Sequence, residues 1–198
     1  TTTTSGSAYP SGEAYTVKYR TYNCDQIFET YEGGGTGGHI AFKTAPQGGT
    51  PTERLTINEE GKVTTPAQPS FAAYRNQSDW NVNGATMVFN ATRHNIGNHY
   101  DTSNGRFTAP VTGSYFISFW SIYKNNYTNA AVRMFINGNR IYGGDIHWTR
   151  DDLGSNWDHV SYTNVLSLQK DDYVTIYSAS NIVWHGNHWQ CYSGYLLG

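Results

Sequence analysis

Several things are scarce in this chain, and each scarcity removes a class of explanation. Charge nearly cancels, with 13 basic against 15 acidic residues over 198 positions. That leaves no basic footprint for nucleic acid or an anionic membrane surface. No run approaches the roughly 20 apolar residues that span a bilayer, so no membrane insertion is expected. There are 2 methionines and few other long unbranched residues, which disfavours helix. The two cysteines, Cys24 and Cys191, lie far apart and without metal-ligand spacing. They read as unpaired thiols packed as small hydrophobes rather than as a disulfide. No Gly-x-Ser-x-Gly elbow, zinc-protease helix or Cys/His nucleophile arrangement is present. The carboxylates come as turn doublets, at Glu59-Glu60, Asp151-Asp152 and Asp171-Asp172. No catalytic residue is therefore assigned, and the chain is read as a non-enzyme. It opens without a signal-peptide pattern, and Thr1–Thr4 reads as the edge of a longer sequence.

What is abundant points to strands. Aromatics make up 15% of the chain, with 16 Tyr and 6 Trp beside 21 Gly; Thr, Val and Asn are also frequent. Such residues fit pleated, half-buried surfaces joined by tight turns. The longest strand signal is Gly113–Tyr123. Tyr115, Ile117, Phe119 and Tyr123 share one face by period-2 alternation, while Phe116, Trp120 and Ile122 fall on the other. Both faces are apolar, so both should be covered.

Residues 1–14 read as a linker. Strands are expected at Tyr15–Tyr22, Ile27–Tyr31, His39–Thr44, Glu53–Asn58 and Lys62–Thr65, the last two joined by the turn Glu59-Glu60-Gly61. The run Gly33–Gly38 lacks the Lys-Ser/Thr ending of a phosphate loop and reads as a flexible turn. Strands this short bury too little to stand alone. Pro66-Ala-Gln-Pro69 marks the best boundary, dividing the chain into a β-rich neck at 1–66 and a head at 67–198. In the head, strands are expected at Phe71–Arg75, Met87–Asn90, Arg106–Thr108, Gly113–Tyr123, Ala130–Ile136, Arg140–Ile146, Trp157–Leu168, Asp172–Ala179 and Trp189–Leu197. Asn137-Gly138 is a two-residue hairpin signal. Short strands with turn chemistry between them give an all-β sandwich or jelly roll.

The head also carries a specific pattern: Phe89, Asn95, Tyr100, Phe107, Gly113, Tyr115, Ile117 and Phe119, with Tyr192-Ser-Gly-Tyr-Leu-Leu197 near the end. It resembles the globular domain of the C1q/tumour-necrosis-factor jelly-roll superfamily, departing only in Ile117 where that family has Phe. The resemblance implies a ten-strand, two-sheet jelly roll assembled as a homotrimer. The trimer interface is then expected at Phe116, Trp120, Ile122, Tyr192, Tyr195 and Leu197. The segment His39–Thr44, Glu53–Asn58 and Gly61-Lys-Val63 is similar to repeats before the tips of bacteriophage tail fibres, which implies a short intertwined trimeric shaft. No collagen repeat precedes the head.

With the C-terminus at the base, strand parity sends the loops at 124–129, 147–156 and 180–188 to the far end. These loops carry the candidate ligand-binding residues Tyr127, His147, Trp148, Arg150, Asp152 and Asn156, then Trp184, His185, Asn187 and His188. Exposed rings stack on the C–H faces of sugars, and fixed polar groups bond the hydroxyls. Trp148 and Trp184 are read as the site's rings, while Trp157 and Trp189, bordering strands, are read as buried. Asp151 and Asp152 could supply oxygen ligands to calcium, as some members of the family hold calcium near the distal axis, but the spacing matches no EF-hand and the pair reads as a solvated turn. No cofactor is assigned. His185 and His188 lack a third ligand for a transition metal. The sequons at Asn76, Asn90 and Asn126 would carry no meaning in a phage protein.

The expectation is the receptor-binding tip of a phage tail fibre, on the virion: a homotrimer joined to an upstream fibre shaft and binding a host cell-surface glycan or receptor. The alternatives are a secreted lectin of a cellular organism with the same domain, and a purely structural trimerisation head.

Overall fold

The computed structural model describes residues 16–22, 25–31, 39–124, 129–149 and 157–198. The chain divides into two compact units, Thr1–Ala67 and Gln68–Gly198. In the first unit β1 (Thr16–Tyr22) and β2 (Asp25–Tyr31) form an antiparallel pair, from Thr16 opposite Tyr31 to Tyr22 opposite Asp25. A separate three-stranded sheet runs β3 (Ile40–Thr44), β4 (Thr52–Ile57), β5 (Val63–Thr64). The turn between β4 and β5 follows its sequence. Gly61 takes φ +76°, and Asn58 closes the loop by accepting from the Lys62 amide at 2.8 Å. No residue of β3–β5 is buried, and Phe42 and Val63 are exposed. Cys24 and Gly33–Gly38 lie outside the described residues.

The second unit is a two-sheet sandwich. Its strands are β6 (Ser70–Tyr74), β7 (Trp80–Val82), β8 (Ala85–Thr86), β9 (Ala91–Ile96), β10 (Tyr100–Asp101), β11 (Arg106–Thr108) and β12 (Gly113–Lys124). They continue with β13 (Asn129–Ile136), β14 (Asn139–Thr149), β15 (Trp157–Leu168), β16 (Tyr173–Ser178), β17 (Ile182–Trp184) and β18 (Gln190–Leu196). One sheet has the order β10-β11-β16-β13-β14 with β8 on β16; the other has β7-β17-β12-β18-β6-β9 with β15 on β12. All pairings are antiparallel.

The core lies between the two sheets and is largely aromatic. Phe71 stacks on Phe107 at 4.7 Å and on Tyr100 at 5.1 Å, and meets Tyr192 edge-on at 4.9 Å. Such pairs contribute about 0.5–1.5 kcal/mol each beyond the area they bury. β12 behaves as its alternation demands. Tyr115, Ile117, Phe119 and Tyr123 are buried, while Phe116 and Ile122 are half-buried and Trp120 is exposed on the outward face.

The residues of the family-like pattern have individual structural reasons. Phe89, Tyr100, Phe107, Tyr115, Ile117 and Phe119 are core. Asn95 closes the β9–β10 turn, its amide donating to the Tyr100 carbonyl at 2.8 Å while its own oxygen accepts from the Tyr100 amide at 3.1 Å. A Cβ on Gly113 would meet Leu196 at 2.8 Å and the Gly198 carbonyl at 2.9 Å.

Two readings of the sequence are corrected. Met87–Asn90 is not a strand. It alternates buried Met87 and Phe89 like one, but the chain is crossing between sheets. The Tyr100 hydroxyl, rather than a neighbouring strand, bonds both the Phe89 amide (3.2 Å) and carbonyl (3.0 Å). Tyr192 is also not on the outward face: it is fully buried, donating to the Val174 carbonyl at 3.1 Å. It lies an odd number of residues from Tyr195, so the two must point to opposite faces.

Candidate functional site

The register defines the two ends of the sandwich. Gly113 pairs with Leu168 and Tyr115 with Leu196 at the base, while Lys124 pairs with Trp157 and Ser121 with Gln190 toward the far end. Turns at the base are mutually braced. Asn137 and Gly138 take φ 53° and 77°, as the two-residue hairpin requires. Asn137 donates to Asp172 at 2.7 Å and accepts from the Tyr173 amide at 2.9 Å. The bond from Asn137, then one from the Gln169 amide, holds the Asp172 carboxyl below the usual carboxylate range despite some desolvation. Of this carboxylate doublet, Asp172 braces the turn and the Asp171 carboxylate meets Lys170 at 2.9 Å.

At the far end the described residues of the expected site have different surroundings. Tyr127, Arg150, Asp151, Asp152 and Asn156 lie outside the described residues, and of Trp148 only the backbone is described, paired with Ala130. Among the described residues no group of three or more His, Cys, Asp or Glu is placed to hold a metal. His147 is on β14, paired with Ala131, and its Nε2 lies 3.1 Å from Asp145. Asp145 also takes Arg140 and, at 3.4 Å, Arg133. Burial works against its charge, but the bonds from His147 and Arg140 and the charges of both arginines outweigh it, holding its carboxyl below the usual range.

Trp184 is not a site residue. β17 pairs with β7 and, at Tyr123, with β12, and its alternation turns Ile182 and Trp184 inward. The indole is 0% exposed, donates to Ser178 Oγ at 3.2 Å and packs edge-on to Phe119 and Tyr123. The reading of Trp157 and Trp189 is overturned in the opposite sense: they are 39% and 53% exposed. Both stack on the His185 ring, at 4.4 Å and 5.8 Å. Trp157 lies an odd number of residues from buried Val160, a parity signal that could have found it.

The turn that carries His185 is built by residues the sequence did not single out. The amides of Asn187 and His188 donate to the carbonyls of Gln77 (2.8 Å) and Arg75 (3.0 Å). Asp79 Oδ1 accepts from the Gly186 amide at 2.9 Å and lies 2.9 Å from His185 Nδ1, where it makes no hydrogen bond to the ring. A Cβ on Gly186 would collide with the backbone of Gln77 and Ser78. Arg75 covers the Trp80 ring at 4.5 Å. His188 turns away onto Tyr74 at 4.8 Å, so the two histidine rings have different partners rather than a shared ion. Asn187 is exposed.

This two-sheet antiparallel sandwich, with its signature residues in the core and its turns sorted to two ends, is a jelly roll. The model of the C1q domain matches residues 70–197, and the chain belongs to that family. It is 31% identical over 113 residues to complement C1q tumor necrosis factor-related protein 3 of Mus musculus, and 30% identical to the Homo sapiens protein of the same name. Each match covers 56% of this chain and 44% of the relative, so the chain spans less than half the length of these curated relatives. The globular domain of zebrafish complement 1qA superposes with TM-score 0.54 at 19% identity, covering 66% of this chain and 98% of that one. The Eiger TNF of S. frugiperda superposes with TM-score 0.56 at 8% identity, covering 67% and 94%. These two likenesses establish the fold. Among the described residues no helix is long and apolar enough to cross a membrane.

Proposed function

We propose that the chain is a non-enzymatic, homotrimeric binding head that recognises a cell-surface glycan at the end of the sandwich away from its C-terminus, and that it forms the receptor-binding tip of a phage tail fibre. The observation that carries the binding reading is the pairing of half-exposed indoles with His185 and Asn187 of one turn and with Asp79, which braces it, the combination a saccharide needs. Loops on a rigid scaffold are the usual place for such a site.

Two features support assembly. Phe116, Trp120, Val165, Tyr195 and Leu197 project from the outward face of the β12 sheet and leave apolar surface facing solvent. In the first unit, β3–β5 has one layer and no buried residue, which is too little to fold alone. Winding with two further copies would cover it, and its likeness to fibre repeats favours the tail-fibre reading. Three sites on one axis raise avidity without new contacts.

The similarity to C1q-related proteins of animals favours a second reading, a secreted lectin of a cellular organism. The purified chain should bind intact host bacteria and block virion adsorption, and periodate oxidation of the cells should remove both effects. Binding that survives periodate would overturn the glycan reading. Failure to block any virion while binding animal glycans would favour the secreted lectin.

A further inference from the structure

Resting on the glycan reading, we propose that Trp157, His185 and Trp189 form the saccharide platform itself, and that it takes a neutral hexopyranose. The three rings stand together at the far end of the β12 sheet, where Trp157 pairs with Lys124, four residues along β12 from Trp120. The His185 amide donates to the Ile122 carbonyl at 2.8 Å, and the Trp189 carbonyl accepts from the Ile122 amide at 3.2 Å. Both indoles are tilted by only 23° and 24° from the His185 ring, and each keeps a large open surface.

The backbone shows that this arrangement is constructed rather than incidental. Asn187 and His188 are consecutive residues with φ 49° and 73°. Left-handed backbone at residues other than glycine persists where surroundings enforce it, and it clusters at ligand sites. Here Gln77 and Arg75 accept both amides, and Gly186 lets the chain approach Gln77 and Ser78 closely. The rings of a packing contact would be covered, whereas Trp157 and Trp189 stay half in solvent. Trp184, a few residues earlier, shows what a packed indole looks like in this fold.

The polar neighbours set the class of sugar. Asp79 spends Oδ1 on the Gly186 amide, and no described residue bonds Oδ2, which is left to accept from a hydroxyl. The Asp79 carboxylate beside the rings disfavours sialic or uronic acids. A neutral pyranose offers the apolar C–H face the indoles need and hydroxyls for Asp79 and Asn187.

The test uses the full chain on a printed array of neutral, sialylated and uronate-containing oligosaccharides. The wild type should retain neutral structures, and Trp189→Ala and Trp157→Ala should each weaken that binding about tenfold. Their assembly mass and unfolding midpoint should be unchanged, and Trp189→Phe should keep most of the affinity. Undiminished binding in both alanine variants moves the site elsewhere while the glycan reading survives. Retention of acidic sugars alone refutes the class. A fall to single-chain mass makes the stack a contact between copies. A wild type that binds nothing sinks platform and glycan reading together.

Discussion

Two tryptophans on one short stretch of chain do opposite work. Trp184 fills the core, so Trp184→Ala should cost about 3–5 kcal/mol. Trp189 lies half in solvent, and its replacement by alanine should cost less than about 1 kcal/mol. Urea unfolding of the two variants checks the contrast; equal losses would contradict it. Asp145 offers a second test. Its folded pKa lies below the ordinary value, so its contribution is present above about pH 4 and is lost as pH falls through the lowered folded value. Asp145→Asn should therefore destabilise at neutral pH and flatten the acid limb of the midpoint–pH curve, whereas an unchanged acid slope would refute this role. Parity explains which residues were legible. The faces of β12 followed from alternation, and Tyr192 was misplaced where alternation was not applied across an odd spacing. The choice of Trp184 over Trp157 and Trp189 failed because each lies at a strand end, where composition suggests a loop and only the pairing partner decides the face.

At the scale of elements, local chemistry predicts local turns and nothing more. Asn137-Gly138 declared its hairpin because both residues suit positive φ, and the structure agrees. The turn from Gly186 to Trp189 gave no such signal: its constraints come from Arg75, Gln77 and Asp79, distant in sequence. The strands β7, β8 and β17 were missed for the same reason, being two or three residues long and defined by partners distant in sequence, β7 and β17 by each other and β8 by β16. The longer β9, which pairs with β6, was missed as well. Gly186→Ala tests the close approach. It should destabilise by about 1–3 kcal/mol, the usual cost of overpacking, and should separate His185 from the indoles. Indole fluorescence should then shift in the folded protein. A variant with unchanged midpoint and spectrum would show that the turn tolerates a side chain.

For the whole molecule, the decisive quantity is the surface left uncovered. Phe116 packs on Tyr195 at 5.3 Å, and with Trp120, Val165 and Leu197 it leaves a group of apolar side chains facing solvent on the β12 sheet. A charge there would leave the core intact, because these side chains point away from it, but would be buried unpaired in any assembly through this face. Trp120→Glu and Tyr195→Glu should thus change mass without changing fold. By light scattering the wild type should weigh three times its 22.1 kDa, and each variant should fall toward a single chain with its β-sheet circular dichroism retained. The same variants probe the first unit. If its single-layer sheet is held by winding with other copies, their loss should open residues 39–67 to protease while 68–198 resists. A trimer that persists in both variants would place the interface on another face. A monomer whose first unit still resists cleavage would show that β3–β5 does not need the other copies.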